Sequence, residues 1–380
     1  MLEAEAFDED AILEGITEWV RVESPCHHLP GINAMMDMAA GELEGLGAEV
    51  ERLGGLDGMG DVVIGRFRPP DAAAAPGILV LSHLDTVHPV GTLEERLEIR
   101  REGDRVYGPG ILDMKGGARL GIEAMRALLR AGRAPKLPVT FMFTPDEEVG
   151  SPTSRERIEA EAARHRYVLV PEPLRPWGDV VTGRHAVQRF RLKTIGQPSH
   201  AGLTKAQGRS AIAKMAEVVT RIEAMNDYER EVTYAVGVIR GGTFVNVVAV
   251  ECEAEVLCIA PTPELLADVR ASMRALSGIE DGVEIRVEEG LLRPVAPQHE
   301  GTLALYEIAR RLGESIGLEM SHCRSGGGSD GNFTGAMGIA TLDGLGVAGA
   351  GAHTFQEHLL VSSLVPRCRL LAGLLEHLEA

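Results

Sequence analysis

The sequence predicts an α/β protein: a mostly parallel sheet flanked by helices, with a smaller α+β unit of ferredoxin-like order inserted into it. Three observations lead there. Short, uniformly apolar runs alternate with helical patterns through the first half of the chain. Near Gly183 the pattern changes to strands that alternate apolar and polar residues. After Pro294 the first pattern returns. A length of 380 residues favours two domains over one. The order of the patterns sets one domain inside the other, 1–182 with 297–380 around 183–296.

The elements follow in order. Ile12, Leu13, Ile16 and Val20 recur at helical spacing and predict a helix from about Asp8 to Val22. AAGELEGLGAEVERL (39–53) reads as a second helix running into a strand, and DAAAAP (71–76) as a small-residue loop. GILVLS (77–82) is an apolar run of the kind found in strands buried on both faces. Residues 114–131 carry Leu120, Ala124, Leu128 and Leu129 on one helical face; PVTFMF (138–143) is another buried strand. RERIEAEAARH (155–165) is a helix and YVLV (167–170) a third strand, which completes the alternation of a parallel sheet.

In the inserted region QRFRLKTIG (188–196) alternates like a half-exposed antiparallel strand. A helix over about 209–225, the strands VTYAVGVIR (232–240) and NVVAVECEAEVLCI (246–259), a helix after Pro263 and VEIRVEE (283–289) follow. That is a β-α-β-β-α-β order. The remainder predicts helices near 300–316 and 359–378 and a short apolar stretch, MGIATL (337–342).

Composition narrows the function classes. Apolar residues make up 44%, enough for two cores, and 38 Lys+Arg against 56 Asp+Glu give a net charge of -18. Such a surface repels nucleic acid and anionic membranes, so neither is expected as a partner. Five scattered cysteines (26, 252, 258, 323 and 368) form no CxxC pair and fit free thiols in a reducing compartment. The acidic N-terminus lacks the basic and apolar regions of a secretion signal, and no apolar run is long enough to span a membrane. The expected location is the cytoplasm.

Five short segments carry chemistry, and each also has an ordinary explanation. In SHLDTVHP, His83 and Asp85 lie where the strand 77–82 runs out; a metal-bound His commonly donates its second ring N–H to a carboxylate. A surface HxD pair is the alternative. In GPGILDMKGG, Asp113 precedes a helix start, the usual place for an N-cap. The surrounding glycines also allow close backbone approach. In FTPDEEVGS, adjacent Glu147 and Glu148 cannot face the same way, so one can ligate a cation while the other holds a proton; a solvated acidic turn is the alternative. Glu172 lies between two prolines just past YVLV, and His353 follows a Gly/Ala run in GAGAHTFQEHLL.

Together the positions say more. His83, the Glu147–Glu148 pair and Glu172 all fall just beyond predicted parallel strands, and Asp113 just before a crossover helix. The carboxyl ends of such strands are where open α/β sheets bind ligands. A set of histidine and carboxylates suits zinc, with cobalt or manganese as alternatives. Three ligand carboxylates against two divalent cations leave a net +1, the surplus a hydrolase needs to favour an anionic nucleophile. Without cations, four neighbouring carboxylates would repel one another and take up protons.

With these residues in place, the chain resembles the zinc carboxypeptidase and deacylase family of glutamate carboxypeptidase, acetylornithine deacetylase and succinyl-diaminopimelate desuccinylase. SHLDTV, GPGILDMKGG, TPDEEVGS, GQPSHAG, GGTFVNVV, GGGSDGNF and GAHTFQEHL occur in the family's order over nearly the whole chain. GGGSDGNF and GLGVAGAGAHT are closest to the glutamate carboxypeptidase branch. The resemblance implies a zinc-peptidase-like catalytic domain with two zinc ions per subunit. His83 and Glu172 hold one, Glu148 and His353 the other, and Asp113 bridges them, commonly with a cis peptide to the next residue. Asp85 orients His83, and Glu147 is the general base for metal-activated water. The inserted domain is a lid and dimerisation domain. His200, from GQPSHAG, reaches the partner subunit's active site to bind the oxyanion, and Asn246 contacts substrate.

Arg324, beside the glycines 326–328, is the candidate grip for a substrate carboxylate, because a planar guanidinium fork binds carboxylate bidentately; a solvent-exposed Arg is the alternative. The implied reaction is cleavage of an amide bond next to a carboxylate-bearing amino acid, with a small peptide or N-acyl amino acid as substrate. N-acyl-amino-acid deacylation is the alternative. The sequence departs from the family pattern after NVV: Leu257 and Ile259 stand where an Asp and an Arg are expected. Histidines 88, 185, 322 and 358 belong to no motif and read as surface residues or supports for the ligands.

Overall fold

Two of the apolar runs become strands in which every residue is buried, Gly77–His83 and Val139–Thr144. They lie side by side and parallel at the centre of an eight-stranded sheet. His165–Val170 pairs parallel with Gly77–His83 on its other side, and Ala340–Asp343 pairs parallel with His165–Val170. The carboxyl ends of these four strands therefore share one end of the sheet. On one side Val62–Phe67 and Glu49–Leu53 add antiparallel strands; on the other Asp179–Arg184 pairs antiparallel with Ala340–Asp343, and Ser321–Ser325 lies next to it at the edge. The computed structural model describes residues 1–69, 76–175 and 178–379. The DAAAAP loop lies, apart from Pro76, outside them.

Helices cover both faces of this sheet's core. Glu9–Val20 starts at Asp8, whose carboxylate accepts the N–H of Ala11 at 3.1 Å, and it buries Ile12, Ile16, Trp19 and Val20. The Trp19 ring meets Phe143 of the central strand edge-on, with centroids 6.1 Å apart. Leu29–Gly45 is longer than the sequence pattern suggests. Pro30 starts it, and Ile32, Met35, Met36, Ala39 and Leu43 form its buried side. Gly117–Arg130 and Leu364–His377 pack together through almost wholly apolar faces.

Chain division by contacts gives two units. One comprises Met1–Gly183, Ala296–Arg324 and Ser329–Ala380; the other comprises Arg184–Val295 and Ser325–Gly328. The second holds a five-stranded antiparallel sheet in the order Thr233–Gly241, Glu251–Ala260, Ala186–Ile195, Val283–Arg293, Gly278–Glu280. Helices Ala211–Glu223 and Pro263–Arg274, capped by Ser210 and Thr262, cover one face. On Glu251–Ala260 every second residue from Cys252 to Ala260 is buried, the period of a sheet covered on one side.

Several boundaries differ from the sequence expectation. The crossover helix starts at Gly117, not Met114; Ile111–Gly116 forms one wide turn in which Asp113 and Met114 have non-helical backbone angles. Gly116 takes the position before the helix, so Asp113 is no N-cap. The strand expected from Asn246 starts at Glu251, because residues 246–250 bond instead to 196–201: Ala201 N–H donates to Asn246, Val248 N–H to Ser199 and Gly196 N–H to Val250. The last helix starts at Leu364. His358–Leu360 is a strand in a small four-stranded sheet with Gly349–Ala350, Arg105–Tyr107 and Arg100–Glu102, none of which the sequence pattern marks. His88 and His185, read as surface residues or supports for the ligands, are both buried.

Candidate metal centre

His83 is the last residue of a buried parallel strand, so its ring emerges at the sheet's carboxyl end, itself buried. Its Nδ1 lies 3.0 Å from the backbone carbonyl of Asp85 and 3.5 Å from that residue's carboxylate. Both contacts of this ring nitrogen are to Asp85, and because the strand ends at His83 the backbone carbonyl makes the closer one. The buried Asp85 carboxylate also accepts the N–H of Glu147 at 3.1 Å and of Glu148 at 3.0 Å. One carboxylate thereby fixes the backbone of the glutamate pair.

That pair sits in a single 3-10 turn, Glu147–Val149, entered from the buried strand Val139–Thr144. Asp330 of the GGGSDGNF segment accepts the hydroxyls of Thr144, at 2.9 Å, and of Ser151, so both ends of the turn are tied to one buried group. Asp113 leaves the wide turn Ile111–Gly116, and its peptide bond to Met114 is cis. Gly117 follows, where a Cβ would meet the Pro171 carbonyl at 1.8 Å. Only glycine lets the helix start approach the Pro171–Glu172 loop so closely. His353 is held with φ of 63° in the loop before His358–Leu360, half exposed.

These five side chains converge. Asp113 Oδ1 lies 3.2 Å from His83 Nε2, and Asp113 Oδ2 lies 3.3 Å from His353 Nε2. Glu172 stands 3.7 Å from the His83 nitrogen, and Glu148 3.2 Å from that of His353. Each Asp113 oxygen therefore faces its own imidazole, and each imidazole has its own glutamate. Ligating atoms of His83, Asp113 and Glu148 all lie within 4.8 Å of one another.

The residues fit a pair of zinc-type cations. Donors about 2.1 Å from a tetrahedral ion lie about 3.4 Å from each other. The four nitrogen-oxygen separations, from 3.2 to 3.7 Å, straddle that value. The imidazole and carboxylate set is also the chemistry zinc takes. Electrostatics agree. Burial alone would lower the His83 pKa, but Asp113 and Asp85 raise it well above the ordinary imidazole value. Asp113 and Glu148 raise His353 to about 11. Burial and the neighbouring Asp113 push Glu172 well above the usual carboxylate range, and burial pushes Glu148 up. Asp113 lies below the carboxylate range despite burial, held there by His353 and His83. A cluster that binds protons this strongly is one that calls for positive charge.

The remaining expected site residues are Arg324, His200 and Asn246. Arg324 is exposed on Ser321–Ser325, at the edge of the large sheet. His200 and Asn246 belong to the second unit, where the Asn246 carbonyl accepts the Ala201 N–H at 3.0 Å and joins their two loops. His200 Nδ1 accepts the N–H groups of Gly202 and Leu203, both at 3.2 Å. The ring proton of the neutral imidazole is therefore on Nε2, which is left as a donor. Leu257 and Ile259 lie on the outward face of their strand, opposite the buried alternation. Sequence reasoning missed Asp330 and Glu357, and read His88 as a surface residue or a support for the ligands. The only signal for them is their presence inside segments already singled out for other residues.

Comparison with known proteins follows this geometry. The model of "Peptidase family M20/M25/M40" matches residues 79–377. Carboxypeptidase G2 of Pseudomonas sp. (strain RS-16) is 27% identical over 395 aligned residues, covering 98% of this chain and 90% of its own. Succinyl-diaminopimelate desuccinylase 2 of Shewanella loihica is 25% identical over 290 residues, 71% of this chain and 76% of its own. Among solved structures, the M20 family metallo-carboxypeptidase Sso-CP2 from Sulfolobus solfataricus superposes with a TM-score of 0.75 at 17% identity, over 97% of this chain and 99% of that one.

Proposed function

The chain belongs to peptidase family M20/M25/M40, and on that premise we propose how its residues divide the work of a metal-dependent amide hydrolase. Its activity is that of a carboxypeptidase or a related deacylase. The observation that carries the assignment is the doubled arrangement about Asp113, with one imidazole and one glutamate on each side. We assign His83 and Glu172 to one zinc ion, His353 and Glu148 to a second, and Asp113 to both, with cobalt or manganese as alternatives. When bound, such ions polarise a scissile carbonyl and make water acidic enough to deprotonate near neutral pH.

The chain's own groups do the rest. Glu147, next to a ligand yet not one itself, accepts the proton of the attacking water and returns it to the leaving nitrogen. Asp85 holds the turn that keeps the two glutamates apart in role. His200 presents Nε2–H to the oxyanion that forms from the carbonyl, and its tautomer is already set by Gly202 and Leu203. Arg324 grips the substrate carboxylate and Asn246 contacts the substrate. We read residues 183–296 as the lid and dimerisation domain, with His200 serving the site of the partner subunit in a homodimer. Five free cysteines support a cytoplasmic location. No helix among the described residues is long and apolar enough to cross a membrane.

The substrate is a small peptide or N-acyl amino acid, cleaved beside a carboxylate-bearing residue. A panel of dipeptides ending in Glu, Asp, Ala or Leu, run beside N-acetyl and N-succinyl amino acids, tests this. Faster release of a C-terminal amino acid from peptides supports the carboxypeptidase reading. Preference for the acyl amino acids moves it to the deacylase reading suggested by the similarity to the desuccinylase. Hydrolysis of neither class contradicts both.

A further inference from the structure

Glu357 lies four residues after His353, is 1% exposed, and has no part in the ligand set. Its carboxylate is nevertheless crowded with donors. Oε1 accepts the N–H of Leu112 at 2.9 Å and of Asp113 at 3.1 Å. Oε2 accepts the N–H of Gly110 at 3.1 Å and faces Nε2 of the buried His88 at 2.7 Å. The Glu357 carbonyl also accepts the N–H of Gly108 at 3.3 Å. The next residue, His358, pairs with Tyr107 in the small sheet. Five consecutive contacts thus lock the 107–113 segment to the 357–358 segment, which lie far apart in sequence.

One locked segment carries one of the five ligands, and the loop leading into the other carries a second. Asp113 is itself one of the bonded residues, and His353 stands on the loop that ends at Glu357. The segment being held has little stiffness of its own: Gly110 has φ of 70°, and Asp113 and Met114 break the helical pattern. A wide turn full of irregular backbone needs outside acceptors for its N–H groups, and a buried carboxylate supplies four lone-pair positions. We propose that Glu357 is a positioning residue that sets the register of Asp113 against His353, so that the bridging carboxylate and the exposed imidazole meet as one half of the metal site. His88 holds the far oxygen and keeps the carboxylate turned toward the loop.

Glu357→Gln tests this. An amide keeps the shape but offers one acceptor oxygen, so either the Leu112 and Asp113 N–H groups or the Gly110 N–H and the His88 ring must face an N–H. The purified variant is compared with wild type for zinc affinity, by competition with a chromogenic chelator, and for the absorption spectrum of its cobalt form. Glu161→Gln serves as control, since Glu161 is also buried but pairs with Arg66 at the opposite end of the sheet. Expected are affinity reduced roughly tenfold or more and an altered cobalt spectrum for Glu357→Gln, and neither change for Glu161→Gln. A folded Glu357→Gln with wild-type affinity and spectrum overturns the inference, as does an equal loss in both variants. If Glu357→Gln does not fold, His88→Phe, which removes one donor and leaves the loop bonds, replaces it under the same criteria. The inference rests on Asp113 and His353 being ligands. Wild-type protein that binds no metal would refute that assignment itself, an outcome distinct from a variant that binds as well as wild type.

Discussion

Adjacent glutamates can divide a reaction between them only if the backbone that carries them is fixed. Here Asp85 takes both of their N–H groups, and Asp330 ties down both ends of their turn. Glu148 is thereby aimed at His353, and Glu147 is left as the carboxylate without a ligand's role in the assignment above. Glu147→Gln should lower turnover by about 10²- to 10⁴-fold while zinc content stays at the wild-type level. Loss of zinc in that variant would mean that base and ligand have been interchanged. At this scale the sequence was informative wherever chemistry coincided with a strand end. His83, Glu148 and Glu172 could be picked out because buried strands have an apolar signature and their ends are sharp. The hold of Asp85 on the Glu147 and Glu148 N–H groups could not be read, since hydrogen bonds to groups some 60 residues away leave no local trace. Glu357 was illegible for the same reason, as its partners, three backbone N–H groups and the His88 ring, lie some 240 to 270 residues away.

At the scale of elements, burial on both faces made the central strands legible. Gly77–His83 and Val139–Thr144 have no polar face to confuse the pattern. The alternating strands of the second unit were equally plain, because one face packs on two helices. What failed was punctuation set by tertiary contacts. Residues 114–116 look helical, yet the turn before Gly117 is held open by Glu357 and by the approach of Pro171. Residues 246–250 have strand composition, yet their hydrogen bonds go to the 196–201 loop. Val62–Phe67 was missed because Gly65 and Arg66 interrupt its apolar run, and the strands about Tyr107 and His358 because three residues carry too little pattern.

At the scale of the whole molecule, the functional reading assigns one unit to the metal ligands and the other to His200. If His200 acts across a subunit interface, the enzyme works as a dimer. Sedimentation should give a dimer at assay concentrations, and His200→Ala should lower the rate by about 10²- to 10³-fold with metal content unchanged. A fully active monomer would end that part of the account.

The claim on which the rest depends is that Asp113 joins two cation positions. Elemental analysis of the purified protein, before and after chelation and with hydrolysis followed on the same samples, tests it directly. The account predicts about two zinc or cobalt ions per chain, activity lost with the metal and restored by its return. Protein that takes up no metal under any loading condition, or that hydrolyses its substrates equally well without it, would contradict the account.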